Sequence, residues 1–120
     1  MKTHKDLDVW KKSISLVTLI YEITNDFPQT EIYGLTNQIR RCAVSIPSNI
    51  AEGSGRQSDK EFIQFLHISL GSLSELETQL IIATNIGFLN ESTQSDLLMN
   101  VEEIRKMLIG LIKFVKNRTS

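Results

Sequence analysis

The chain is poor in the residues that usually carry chemistry or interrupt helices: its 120 residues include one cysteine, two histidines, two prolines and six glycines. A lone Cys42 excludes an intramolecular disulfide, so the core must be held by packing, and the reading is of a reducing, cytoplasmic setting. An apolar run of membrane length and an N-terminal signal-like segment are both missing, so no membrane partner is expected. Charge of one sign is missing too. Lys and Arg number 13 against 14 Asp and Glu, a net of -1, which gives no electrostatic reason for tight, indiscriminate binding to nucleic acid. A length of 120 residues suits one domain able to bury a single core.

No strand-like alternation occurs anywhere; the apolar residues recur at helical spacing. A first helix is predicted over about 8–26, with Asp6 or Asp8 as its cap and Trp10, Ile14, Val17, Tyr21 and Thr24 along one side. Leu16, Ile20 and Ile23 widen that apolar arc beyond the ~100° stripe of an ordinary surface helix, which calls for a second packing partner. A second helix is predicted over about 31–53, with Leu35, Ile39, Cys42, Ile46 and Ile50 facing the core. Ser58 and Glu61 form a capping-box pattern that opens a third helix over about 59–86, with Phe62, Leu66, Ser69, Leu73, Leu76, Leu80 and Ala83 as its seam. Gly87 supplies a left-handed stop, and Asn90 or Ser92 caps a fourth helix over about 91–117. That helix carries Leu97, Val101, Ile104, Leu108, Leu111 and Val115, and the residues from Lys116 onward are expected to fray. The short connections predict an all-α, up-down-up-down antiparallel four-helix bundle as a single domain over 1–120.

Bundles often hold metal between Glu-x-x-His pairs, and that pattern is absent: His4 lies near the start, and His67 has Gln64 where the carboxylate would stand. No metal and no other cofactor are expected. Cys42 falls on the core stripe and reads as a small hydrophobe. The run from Gly53 to Arg56 lacks the preceding strand, glycine spacing and Lys-Ser/Thr pair of a phosphate loop. Gly53 and Gly55 are read instead as positive-φ residues at a helix stop. No arrangement of nucleophile, base and acid announces a reaction, so an enzyme is not expected.

At 100° per residue, Gln38, Arg41, Ser45, Asn49 and Glu52 share a polar stripe about 80° wide on the second helix. Arg40, Val44, Pro47 and Ala51 share another flank, short-chained enough for a second backbone to approach. Pro47 costs about 3 kcal/mol in an unsupported helix interior. The core register continues across it, so a continuous but bent helix is expected, with the freed Ala43 carbonyl served by water or a serine hydroxyl. Glu77 falls in the apolar sector of the third helix and should find a cation, Arg40 or Arg41, in an interhelix or intersubunit ion pair.

The run YGLTNQIRRCAVSIPSNIAEGSGR at 33–56, with DLDVW at 6–10, FP at 27–28 and GSLSELET at 71–78, resembles the bacterial four-helix-bundle proteins encoded in intervening sequences of 23S ribosomal RNA genes. Cys42 stands where alanine is common in that family, a conservative departure. The resemblance implies a ring-like homopentamer. It also implies a fold shared with the accessory variability determinant of diversity-generating retroelements, a protein that binds nucleic acid and a reverse transcriptase. It brings no catalytic residues with it. The positions singled out for interaction or subunit contact are Gln38, Arg40, Arg41, Ser45, Asn49, Glu52, Arg56 and Glu77, with Gly53 part of the same motif.

Two functions follow as expectations. One is a homo-oligomeric assembly or adaptor protein whose polar rim docks RNA or a nucleic-acid-processing protein. The other is a structural or regulatory protein-binding oligomer with no nucleic-acid role. Convergence of Arg40, Arg41, Arg56 and Lys60 on one surface would favour the first.

Overall fold

A computed structural model describes residues 3–119, with the side chain of Thr119 left undescribed. Among these residues the secondary structure is helical throughout: α1 (Asp8–Thr24), α2 (Leu35–Ser54), α3 (Asp59–Asn85) and α4 (Glu91–Thr119), with 3-10 turns at His4–Asp6 and Gln29–Glu31. α1 packs on α2 and α4, and α3 packs on α2 and α4, so each helix has two neighbours around one core.

The core stripes of α2 and α3 are those the periodicity marks. Ile39, Cys42, Ile46 and Ile50 are buried on α2, and all the seam positions of α3 from Phe62 to Ala83 are buried. On α4, Leu97, Val101, Ile104, Leu108 and Val115 are buried, with Ile112 in place of the half-buried Leu111. α1 is turned by about one residue from the expected side. Val9, Ser13, Leu16, Ile20 and Thr24 face inward, while Ile14 and Tyr21 are exposed. The two buried hydroxyls make this orientation inexpensive, because Ser13 donates to the Val9 carbonyl and Thr24 to the Ile20 carbonyl, each at 2.7 Å.

The helix ends show which local signals act. Leu7 stands at the N-cap of α1 with no side-chain bond, so neither Asp6 nor Asp8 caps it. Asp6 instead closes a capping box with Thr3 around the first 3-10 turn. α2 starts at Leu35, later than position 31, because Gly34 leaves helical geometry and the Glu31 carboxylate accepts from the Leu35 N–H at 3.1 Å. Ser58 caps α3 by accepting from the Glu61 N–H, and Asn90 caps α4 by accepting from the Thr93 N–H at 2.7 Å. Gly87 has φ +89° and is the only positive-φ residue among those described. Gly55 therefore ends α2 in right-handed geometry, and Gly53 lies inside the helix. The left-handed roles expected of these two glycines are corrected.

Gly53 is there for proximity: a Cβ on it would lie 2.6 Å from Cβ of Phe65 and 3.0 Å from Cδ1 of Phe62, so α2 touches α3 at this point. Cys42 meets Ser72, Ile46 meets Ser69 and Gly53 meets Phe65, the numbers falling along α3 as they rise along α2. α2 runs unbroken through Pro47, which is buried. The hydroxyls near it serve other carbonyls than Ala43: Ser45 donates to Cys42 at 2.7 Å and Ser69 of α3 to Ile46 at 2.9 Å. The end of α4 is anchored at Arg118, whose guanidinium grips both oxygens of Asp59 at 2.8 and 3.0 Å. Fraying from Lys116 is thus not seen, and Ser120 lies outside the described residues.

Candidate functional site

α2 is flanked by two grooves of opposite character. On the α3 side, Asn37, Gln38, Arg41, Cys42, Ser45 and Asn49 face Ile68, Ser72, Glu75 and Gln79 across an open groove of about 500 Å³. Most of the polar stripe read from the sequence therefore forms one wall of a real concavity. On the α1 side, Trp10, Ile14 and Val17 face Val44, Pro47 and Ala51 across an apolar groove of about 330 Å³, with His4, Thr18 and Ser48 at its edges. The surplus arc of α1 and the small-residue flank of α2 are thus the two walls of one feature.

The polar groove holds two charges and several amides. Arg41 makes no hydrogen bond or ion pair among the described residues. Asn49 donates to the Ser45 carbonyl at 2.7 Å, which frees its amide oxygen for another donor. Gln79 is 9% exposed, and its Oε1 has no hydrogen-bond partner. An orphaned buried acceptor costs on the order of 1–3 kcal/mol. At its floor, the Cys42 thiol donates to the Ser72 carbonyl at 3.0 Å. Burial, followed by the charge and hydrogen-bonding of Glu75, pushes this thiol up to about 12, so it stays protonated and is a poor nucleophile.

The other singled-out residues are dispersed. Arg40 leaves the groove for the end of α1, where Nε donates to Thr24 Oγ1 at 2.8 Å and Nη2 to Asn25 Oδ1 at 3.1 Å, with the guanidinium 4.7 Å above the Tyr21 ring. A cation there complements the carbonyl end of α1. Glu52 pairs with Arg56, just past the end of α2, at 2.7 Å, and Arg56 also covers the Phe65 ring at 4.9 Å. Glu77 finds its cation on α4, not on α2: Arg105 bonds it at 3.0 Å and Glu102 at 2.6 Å. The expected pairing of Glu77 with Arg40 or Arg41 is therefore wrong in its partner. The seam position of Glu77 adjoins both neighbours of α3, and periodicity alone does not choose between them.

Sequence reasoning named one wall of the polar groove and missed the other. Ser72, Glu75 and Gln79 recur at spacings of three and four on α3, a polar line that would have marked it. Among the described residues no three His, Cys, Asp or Glu side chains gather to hold a metal, and no helix is long and apolar enough to cross a membrane.

No curated protein matches the chain. A solved structure of a protein of unknown function from the S23 ribosomal protein family of Bacteroides thetaiotaomicron superposes with a TM-score of 0.80 at 27% identity. The match covers 88% of this chain and 95% of that one. The family described as 23S rRNA-intervening sequence protein matches residues 5–110, and the chain belongs to that family.

Proposed function

We propose that this chain is a non-enzymatic assembly protein that acts in the cytoplasm as a homo-oligomer and binds protein partners. The observation that carries the reading is the apolar groove between α1 and α2. Its walls, Trp10, Ile14 and Val17 against Val44, Pro47 and Ala51, bring apolar side chains from the edge of the core to an open surface. A second copy covering that groove would remove this surface from water at about 25 cal/mol per Å². Five copies in a ring is the stoichiometry that the family resemblance implies.

Between the two versions of this function, arginine placement favours the one without nucleic acid. Arg40 is committed to the end of α1 and Arg56 to Glu52, which leaves Arg41 alone in a groove it shares with Glu75. The convergence that an RNA-docking rim would require is not formed by these side chains.

Light scattering tests the assembly. The expected mass is several times 13.6 kDa, and Ala51→Glu, which sets a carboxylate in the apolar groove, should lower it with the helical circular dichroism unchanged. A monomeric parent protein would refute the reading. In a filter-binding assay at low salt, structured RNA should not be retained; retention lost in an Arg41→Ala/Arg56→Ala double variant would restore the RNA-docking version.

A further inference from the structure

The chain carries a side chain suited to the apolar groove between α1 and α2, in a place from which it cannot reach its own groove. Tyr33 is 93% exposed, and Ile32 beside it is 41% exposed. Both stand on the loop that enters α2. Resting on the assembly read above, we propose that the contact between copies is head-to-tail, with Tyr33 of each copy seated in the apolar groove of the next.

The loop holds Tyr33 in a fixed attitude. Pro28 precedes the 3-10 turn Gln29–Glu31, the Ile32 N–H donates to the Gln29 carbonyl at 3.2 Å, and the Gly34 N–H donates to the Glu31 carbonyl at 2.9 Å. The Glu31 carboxylate then accepts from the Leu35 N–H at 3.1 Å, which ties the loop to the first turn of α2. Backbone ordered in advance loses little further freedom on binding. A tyrosine presented this way is the kind of rigid aromatic anchor that dominates contact energies.

The groove suits a phenol. His4 and Trp10 meet edge to face with ring centroids 5.1 Å apart, which makes one part of its lining aromatic. Hydroxyls stand at its edges: Thr18 donates to the Ile14 carbonyl at 3.1 Å and can still accept, and Ser48 makes no hydrogen bond with any described residue. A buried tyrosine needs an apolar bed for its ring and a polar partner for its O–H, and both are here. The exposed isoleucines of α3, Ile68, Ile81 and Ile82, would leave those hydroxyls without a partner.

Distance makes the occupant another copy. Gly34 opens α2, and the groove wall from Val44 to Ala51 lies roughly 15–25 Å further along its axis at 1.5 Å per residue. Tyrosine and groove are therefore separate surfaces, and a contact that joins them leaves a groove free on one copy and a tyrosine free on the other. Repeated by a single rotation, such a contact closes a ring, and a ring of five satisfies every tyrosine and every groove.

Sedimentation velocity over a dilution series tests the contact, and Tyr33→Ala is a clean variant because so exposed a side chain contributes little to folding. The variant should associate on the order of thirtyfold more weakly than the parent. Trp10, the single tryptophan of the chain, should report the same event, its emission shifting to the red in Tyr33→Ala at concentrations where the parent stays assembled. Mixing Tyr33→Ala with Ala51→Glu offers one intact tyrosine to one intact groove, so an equal mixture should give a two-copy species and nothing larger. A Tyr33→Ala variant that assembles as tightly as the parent overturns the proposal, as does a mixture that stays monomeric or regains the parent mass. In those cases dissociation of Ala51→Glu still leaves assembly through the apolar groove standing. A parent that stops at two copies overturns the head-to-tail contact alone, and a monomeric parent overturns both.

Discussion

Replacing Gly53 with alanine adds one methyl group at the point where α2 and α3 touch. The added Cβ would stand 2.6 Å from Cβ of Phe65, 3.0 Å from Cδ1 of Phe62 and 3.3 Å from the Phe62 carbonyl oxygen. Carbon atoms in contact prefer about 3.5–4.0 Å, so the closest approach is short by about 1 Å. The atom in the way is a Cβ, fixed to the backbone of α3, and no rotamer change moves it aside. The helices must part or α2 must shift along its axis. Overpacking of this kind costs about 1–3 kcal/mol. Alanine returns at most about 1 kcal/mol through its better helix propensity, and less than that so near the end of α2 at Ser54. The net expectation is a loss of about 1–2 kcal/mol, or a melting temperature lower by roughly 4–8 °C.

Gly110→Ala provides the control of opposite sign. Gly110 is an exposed position inside α4, and a Cβ there meets nothing within 4 Å, so the same substitution should stabilise by about 0.5–1 kcal/mol. Thermal and urea melts of the two variants, followed by circular dichroism at 222 nm on samples of equal concentration, compare packing with propensity directly. If Gly53→Ala matches or exceeds the parent in stability, the close approach of α2 to α3 is not what the glycine serves.

Cys42 should resist thiol reagents at pH 8 in the folded protein and react at once in denaturant; rapid labelling of the native chain would contradict its burial. Because the folded thiol is raised to about 12 from an ordinary 9.0, both states hold the proton below pH 9. Between pH 9 and 12 only the unfolded state releases it, so stability should fall across that window, and Cys42→Ala should remove this part of the alkaline slope in urea melts. Arg105→Ala should cost about 1 kcal/mol at low salt by leaving Glu77 and Glu102 together at the α3–α4 seam, and less at 1 M NaCl, where exposed charges are screened. Equal losses at both salt concentrations would show that the stem of Arg105, and not its charge, is what packs there.

Most of the fold was legible because a helix repeats its own environment every three to four residues. The α3 seam from Phe62 to Ala83 lies as its spacing requires, and so do the central positions of α2. α1 misled because size and apolarity suggest the wrong side. Trp10, Ile14 and Val17 are its most conspicuous hydrophobes, yet the buried face includes Ser13, whose hydroxyl is satisfied within the helix. Glu77 shows a second kind of limit. Its place at a seam follows from spacing, but whether α2 or α4 supplies the cation depends on how the helices are arranged around the core. Gly53 shows a third, since a glycine near a helix end suggests a stop, and only the distance to Phe65 shows close packing.

What sets α2 apart is that neither of its outer flanks is closed by its neighbours. The residues that line these flanks are mostly short: Ser45, Ser48 and Ala51 leave space that longer side chains would fill. Space on the α1 flank is lined by Val44, Pro47 and Ala51, and space on the α3 flank by Gln38, Arg41, Ser45 and Asn49. An apolar flank gives association free energy but little discrimination between partners. A flank of amides and opposed charges gives little net free energy when water competes, but penalises every misaligned partner. In the proposed assembly the apolar α1 flank supplies the association, so a charge set there, as in Ala51→Glu, should lower the mass of the assembled species.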